Sequence, residues 1–374
     1  MDTSQMAVFI ALLMPAGFAL LTTGLCRARN AAHTAYMAFF SAVLAVAGFW
    51  MCGFAVTDGS LRFFLHNRAH YQQPYRNFVA LLPAVVVATC IPTGALAERW
   101  RLKSFYVYAL FMSMVLFPVF VRWTWGGGWL SDMDFIDVAG SGVVHALAGL
   151  CALAGALVIG PRHGRYGKSG VPVPVPAHNV PLALLGGFLL TVGWFGFNTI
   201  RASDVPVAMT ATALAMCGGA IAGAMHTTLT TRKPDPTLVA NGLLAGLVAS
   251  SASAGLVGPN KAFATGAVAG LLGCLAVNWL DRFRVDDPVG VVAVHGVGGL
   301  WGVLATGLFS RSGHLLAQLT GCGALVVWGF GLPWAFFKAL DRVVPLRVEP
   351  EAELGGLDIP ETGVLGYPDI ERFE

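Results

Sequence analysis

Two stretches of this 374-residue chain carry the same residues at the same offsets. One is Asp137-Val-Ala-Gly140-Ser-Gly-Val-Val144-His145, followed by Gly149-Leu150; the other is Asp287-Pro-Val-Gly290-Val-Val-Ala-Val294-His295, followed by Gly299-Leu300. In both, a histidine stands eight residues after an aspartate inside an apolar run. A neutral imidazole has one donor and one acceptor nitrogen, so two facing imidazoles can bond to each other and share a proton. A lone histidine in such a run is as readily a core residue bonding across helices. A matched pair favours a shared pathway, because ionisable groups inside a membrane are costly and mark one. Cys151 and Trp301, which follow the two copies, show that the duplication is not recent.

Other chemistry-bearing residues are sparse. Cys26, Cys52, Cys90, Cys151, Cys217, Cys274 and Cys322 fall singly within or at the ends of apolar runs, without a CxxC pair or a zinc-spaced histidine. They read as small core residues, and neither a metal nor a cofactor is expected. His226 reads as a core residue, while His163, His178 and His314 lie in or beside loops. With no nucleophile–base pair and no phosphate loop near the apolar runs, the chain does not read as an enzyme. A dispersed net charge of +3 excludes a nucleic-acid footprint.

The elements that position the histidines follow from composition. With 56% hydrophobic and 11% charged residues and a mean hydropathy of +0.68, there is too little polar side chain to cover a soluble globule. Eleven apolar segments are each long enough to cross a hydrocarbon core of ~30 Å. They run about 7–25, 35–57, 77–97, 104–121, 138–160, 179–199, 205–227, 237–258, 262–280, 288–309 and 315–337, and every Asp, Glu, Lys and Arg lies outside them. The period-two alternation of a membrane barrel is missing, so the expected class is an all-α polytopic membrane protein with eleven transmembrane helices.

Placing the N-terminus outside puts sixteen Lys and Arg residues inside and seven outside (Arg62, Arg68, Arg76, Arg122, Arg201, Lys261 and Arg311). The inside set is Arg27, Arg29, Arg99, Arg101, Lys103, Arg162, Arg165, Lys168, Arg232, Lys233, Arg282, Arg284, Lys338, Arg342, Arg347 and Arg372. The first segment lacks a basic leader and is followed by Arg27 and Arg29, so it reads as a retained helix rather than a cleaved signal. Five spans separate the two histidine copies, so one runs inward and the other outward, as in an inverted-topology repeat. The expected layout is a transmembrane domain over 1–340, with repeats at about 1–160 and 179–310 and a last helix at 315–337, then a cytoplasmic tail over 341–374. At ~1.5 Å per residue each histidine lies ~12 Å deep from opposite faces, so both reach the midplane.

Read with their neighbours, these segments resemble the ammonium transporter family, with the Rhesus proteins as distant relatives. Matching stretches include Met14-Pro-Ala-Gly-Phe-Ala-Leu-Leu, Gly24-Leu-Cys-Arg-Ala-Arg-Asn30, Gly94-Ala-Leu-Ala-Glu-Arg99 and Trp125-Gly-Gly-Gly-Trp-Leu130. Further along are His178-Asn179, Gly193-Trp-Phe-Gly-Phe-Asn198, Asp286-Asp-Pro288, His295-Gly-Val-Gly-Gly299 and the tail segment Glu353-Leu-Gly-Gly-Leu-Asp358 with Gly363 and Tyr367. The resemblance implies a homotrimer in the cytoplasmic membrane, with a narrow apolar pore in each protomer. Ammonium would be collected at an outer vestibule, lose its proton and cross as ammonia past His145 and His295. Trp125 and Phe197 match the recruitment positions, and Asp137 matches a buried supporting carboxylate. An aromatic face binds a cation before it deprotonates, whereas an apolar pore rejects the ion and admits the neutral molecule. Family tails dock on neighbouring subunits and, in many members, on a PII-type signalling protein.

Each matched residue also has a plainer reading. Asp137 is a helix start signal, Trp125 and Trp129 suit an interfacial aromatic belt, and Asp286-Asp287-Pro288 is a cytoplasmic helix start. The sequence also departs from the family. The outer Phe gate falls on Ala84 and its companion on Ala80, with Phe78 out of register. The small hydroxyl residue of the cation site falls on Arg201, with Ser203 two residues later. Arg201 would repel ammonium unless Asp204 or Asp137 neutralises it, or unless it snorkels outward. Thr362 stands where the family has His, and the loop after span five is Pro-rich from Val171 to Pro176. Two competing functions are a non-transporting ammonium receptor on the same scaffold and a channel for another small neutral gas.

Overall fold

The computed structural model describes residues 3–60, 63–65 and 72–368; Arg62, Arg68 and Arg372, used above for orientation, lie outside these. The described residues are helical, with no β-strand beyond two isolated bridges, Trp100 with Arg347 and Tyr166 with Pro172. Among the described residues ten helices are long and apolar enough to cross a membrane: Ser4–Leu25, Ala28–Asp58, Gln73–Ala95, Leu102–Asp132, Ser141–Ile159, Val180–Phe197, Val205–Thr231, Pro259–Arg282, Val292–Phe309 and Leu315–Val343. The remaining apolar helix, Pro236–Ser250, takes the eighth place in chain order.

The eighth span is shorter than the expected 237–258, whereas the second, Ala28–Asp58, and the fourth, Leu102–Asp132, run longer than the expected 35–57 and 104–121. The eighth helix stops at Ser250, and the chain continues as turns that pair with the entry to span five. Val138 and Ala139 donate to the carbonyls of Ala252 (3.0 Å) and Ser251 (2.9 Å), and the Ala252 N–H donates to Ser141 Oγ (2.6 Å). Unwound backbone inside an apolar bundle must find partners in the protein, and this exchange supplies them. The end of span three is treated likewise: Glu98 adopts φ +68, and Arg99 donates to the carbonyl of Asp286 (2.8 Å), just ahead of span ten. The helices thus form two five-span repeats and a final helix, and the ends of spans three and eight cradle the starts of spans ten and five.

Glycine allows the close approaches. Within the second repeat, a Cβ at Gly218, Gly219, Gly266 or Gly270 would overlap backbone atoms of a neighbouring helix, which binds spans seven, eight and nine into one bundle. Span seven packs on eight and nine, as span two packs on three and four.

The cysteines only partly follow expectation. All seven are free; Cys26, Cys90, Cys151 and Cys274 are buried, Cys52 and Cys322 half-buried, and Cys217 exposed. His226, expected in the core, is half-buried on span seven.

Candidate functional site

Both histidines sit in turns whose first amides are capped by the repeated aspartate. Asp137 Oδ1 accepts the N–H of Gly140 (2.8 Å), and Oδ2 accepts those of Gly142 and Val143 (2.8 Å each). Asp287 accepts those of Val291 (3.1 Å) and Val292 (2.7 Å). A helix start leaves amides without intrahelical partners, and in a buried place a carboxylate is a strong acceptor for them. The glycines of the repeat make the turn possible, with φ +103 at Gly140 and +78 at Gly290. The helix-start readings of Asp137 and of Asp287-Pro288 are therefore geometrically correct.

Each cap leads into a π-turn, Ser141–Ala146 in span five and Val292–Val297 in span ten. The Leu147 N–H reaches the carbonyl of Gly142 and the Gly298 N–H that of Ala293, five residues back in both cases. Such turns concentrate at functional sites, since the extra residue re-aims side chains that a regular helix would direct elsewhere.

The two turns bring the histidines together. His145 and His295 are buried, and their Nδ1 atoms are 3.2 Å apart, with ring centroids at 5.2 Å and planes inclined by 27°. One proton serves that line, donated by whichever ring carries it at Nδ1. His145 Nε2 is buried without a protein partner. The Trp194 ring stacks on His145 (4.9 Å, 24°) and lies 6.4 Å from His295, nearly parallel to it. Phe197 approaches His145 (5.7 Å), and Phe18 approaches His295 (5.8 Å). Trp194 and Phe18 entered the sequence reading only as parts of motifs; Trp194 precedes Phe197 by three residues, so the two share a helix face.

The helices cross through repeat-related positions, which differ by 150 in number. A methyl at Gly149 would overlap the backbone nitrogen of Gly296, and one at Gly299 would lie 2.7 Å from the nitrogen of Ala146. Position 149 pairs with 299 and position 146 with 296 under the repeat, so the crossing is nearly symmetric, as is the meeting of identical Nδ1 atoms.

On one side of His145, Trp125 donates its indole N–H to the carbonyl of Asp137 (2.6 Å), which ties the aromatic plate to the cap of span five. The guanidinium carbon of Arg201 lies 4.4 Å from a Trp125 ring centroid. Arg201 thus lies over the indole while remaining exposed. It forms no ion pair among the described residues, and Asp204 instead caps span seven through the Val207 N–H (3.0 Å). Ala84 is buried in the apolar core, while Phe78 stacks on Phe49 (5.4 Å) and meets Phe54 edge-on (5.5 Å).

Several residues treated above as loop cations are buried on the opposite side. Arg162 bridges two carboxylates: its Nε and Nη2 donate to Asp286 (2.8 and 2.9 Å), and its Nη1 donates to Glu98. Arg27 donates to Glu98 from Nε (3.0 Å). Burial pushes the Asp286 carboxyl up, but the Arg162 hydrogen bonds and the Arg99 charge more than offset it and hold it well below the usual carboxylate range. Glu98 is lowered in the same way, with burial outweighed by Arg162 and Arg27. Arg99, also buried, is brought down to about 10 by desolvation.

The C-terminal segment docks on this face of its own chain. Val348 N–H donates to the carbonyl of Arg99 (3.1 Å), Leu357 N–H to Asn30 Oδ1 (3.0 Å), and His33 N–H to Asp358 Oδ1 (2.9 Å). His163 and His178, which needed no role as loop residues, take part: the His163 N–H donates to Glu353 (2.7 Å), and His178 Nε2 lies 3.2 Å from the Tyr367 hydroxyl.

Comparison with known proteins concerns the family and the fold as a whole. Residues 4–367 match the model of the Ammonium Transporter Family. The chain is 34% identical over 405 residues to the ammonium transporter Amt2 of Archaeoglobus fulgidus, covering 97% of this chain and 86% of that protein. Among solved structures, one titled Sensor Amt Protein superimposes with a TM-score of 0.92 at 32% identity, covering 96% of this chain and 97% of that one. Mep2 of Candida albicans superimposes with a TM-score of 0.83 at 25% identity over 93% of this chain and 86% of that one.

Proposed function

The chain belongs to the ammonium transporter family, and from that premise we propose that it carries ammonium across the membrane, using His145 and His295 as its conduction pair. The observation that carries this reading is the 3.2 Å approach of two buried Nδ1 atoms within an aromatic and apolar wall. Ammonium is collected on the Trp125 face above Phe197 and gives up its proton there. It enters as ammonia, because an unpaired cation in an apolar passage is strongly disfavoured. Ammonia can donate to or accept from an imidazole, and the free Nε2 of His145 offers it a partner. The proton moves along the imidazole pair by tautomer exchange, so transport carries charge. Asp137 supports the entrance by fixing the turn that aims His145, and with no ring at Ala84 the gate falls to Phe197.

The transmembrane domain is assigned to 1–340 and the tail to 341–374. The protein is placed in the cytoplasmic membrane, N-terminus outside and C-terminus inside, as a homotrimer, with a PII-type protein as candidate reader of the tail face.

The test is the transient current of proteoliposomes given an ammonium pulse. Native current that His295→Ala abolishes supports transport. A second reading, an ammonium sensor on the same scaffold, is favoured by one feature: the indole face that should receive the cation is covered by Arg201. The likeness to the structure titled Sensor Amt Protein points the same way. No native current, with current appearing in Arg201→Ser, would sink the transporter reading and favour the sensor.

A further inference from the structure

Arg201 lies in the link between the helix ending at Phe197 and the one starting at Val205, so its backbone is anchored within a few residues on each side. Its guanidinium rests 4.4 Å from Trp125, whose ring is itself fixed by the N–H donated to Asp137. Among the described residues it forms no salt bridge; the Asp137 charge acts on it from beyond contact, and the indole is the surface it lies against. A planar, weakly hydrated guanidinium stacks on an indole better than a compact, strongly hydrated ammonium does. One indole face does not hold two cations, since the second would meet Coulomb repulsion from the first at contact distance.

Resting on the reading of Trp125 as the ammonium face, we infer that Arg201 is a tethered competitor for that face and sets the concentration of ammonium at which the entrance fills. Free ammonium gains the indole only when the guanidinium swings off it. The entrance then responds to high ammonium and stays closed to low, and the threshold is written in the strength of one cation–π contact. Because Arg201 is covalently held, its local concentration is that of an intramolecular ligand, and dilute cations do not outcompete it. The neighbouring helix end at Asn198 is fixed by bonds to Thr212 (2.9 Å) and Ser250 (3.1 Å), so displacement requires movement of the 199–204 link and not of the pore.

The experiment compares native protein, Arg201→Ser, Arg201→Lys, Trp125→Leu and the Trp125→Leu/Arg201→Ser double variant. Half-saturating ammonium is read from proteoliposome currents, and methylammonium binding to the purified protein is read by calorimetry. Competition predicts that Arg201→Ser lowers the half-saturating concentration about two- to fivefold, the worth of a partly exposed cation–π contact. Arg201→Lys falls between the two, and the gain disappears in the Trp125→Leu background. Equal values for Arg201→Lys and native would assign the effect to charge alone and overturn the stacking claim. An unchanged or raised value in Arg201→Ser would overturn the inference altogether. If no variant carries current, the transport reading fails, and calorimetry still decides the competition: binding no tighter in Arg201→Ser than in native overturns it.

Discussion

The Nδ1 atom of His145 faces the Nδ1 atom of His295 at 3.2 Å, identical atoms meeting across a repeat of 150 residues. That contact fixes the tautomers as a pair: a proton on one Nδ1 leaves the other ring protonated at Nε2, and the reverse arrangement is nearly equivalent. Two near-degenerate arrangements are what a proton relay needs.

Replacing one ring therefore does more than open space. His295→Ala should abolish ammonium-driven current while the protein still purifies as a folded species. His145→Asp, which retains a short proton-exchanging group, should keep a small current of altered pH dependence. Solid-supported-membrane currents at several pH values check both; full current in His295→Ala would remove the pair from the conduction path.

The glycines at the crossing give an asymmetric prediction. Gly149→Ala would drive a methyl into the backbone of Gly296 and should destabilise the protein by about 1–3 kcal/mol, the usual cost of overpacking. Gly296→Ala places its methyl 3.5 Å from the nearest Gly149 atom, an ordinary contact, and should change stability by less than about 0.5 kcal/mol. Thermal unfolding in detergent distinguishes them; equal losses would contradict the packing described.

How much of this was legible beforehand differs by residue. Asp137, Gly140 and His145 recur as Asp287, Gly290 and His295, so symmetry and pairing were readable, because a repeat records three-dimensional symmetry in one dimension. The π-turns were not, since in a fully buried stretch a period of 3.6 and one with an inserted residue produce the same unbroken apolar text. Span eight was overestimated for a related reason: Ser251 to Val257 are uncharged and small enough to read as helix, and their bonds to Val138, Ala139 and Ser141 show that the helix has ended. The contact of Arg201 with Trp125 joins residues 76 positions apart, and no local pattern encodes it. Charges are the third case: Arg99 and Arg162 read as loop cations, and nothing local in the sequence shows their burial.

The buried charges on the tail side predict a pH dependence. Asp286 and Glu98 have folded pKa values below their ordinary ones, so they contribute stability that is complete above the ordinary carboxylate range, about pH 4–5, and is lost as pH falls through the depressed folded values. Unfolding midpoints should be flat near neutrality and drop steeply below about pH 4. Asp286→Asn should cost about 3–5 kcal/mol at neutral pH by leaving Arg162 and Arg99 under-compensated, and should flatten the acid limb. A native profile with no acid loss would contradict the ion network.

The tail's attachment is testable by proteolysis. Asp358 accepts the N–H groups of His33 (2.9 Å) and Gly366 (3.0 Å). Asp358→Ala should leave the bundle intact and make residues 346–368 faster to cleave than in native protein. Equal cleavage rates would show that this anchor is dispensable.

Consider again the place where Gly149 meets Gly296. Two backbones that touch without side chains between them have nothing to slide on, so the halves of the molecule cannot rock past each other without prying the imidazoles apart. A conduction path through this crossing predicts a temperature coefficient set by diffusion and proton exchange rather than by rocking of the repeats, with flux adjusted at the two ends of the pair and the middle left unchanged.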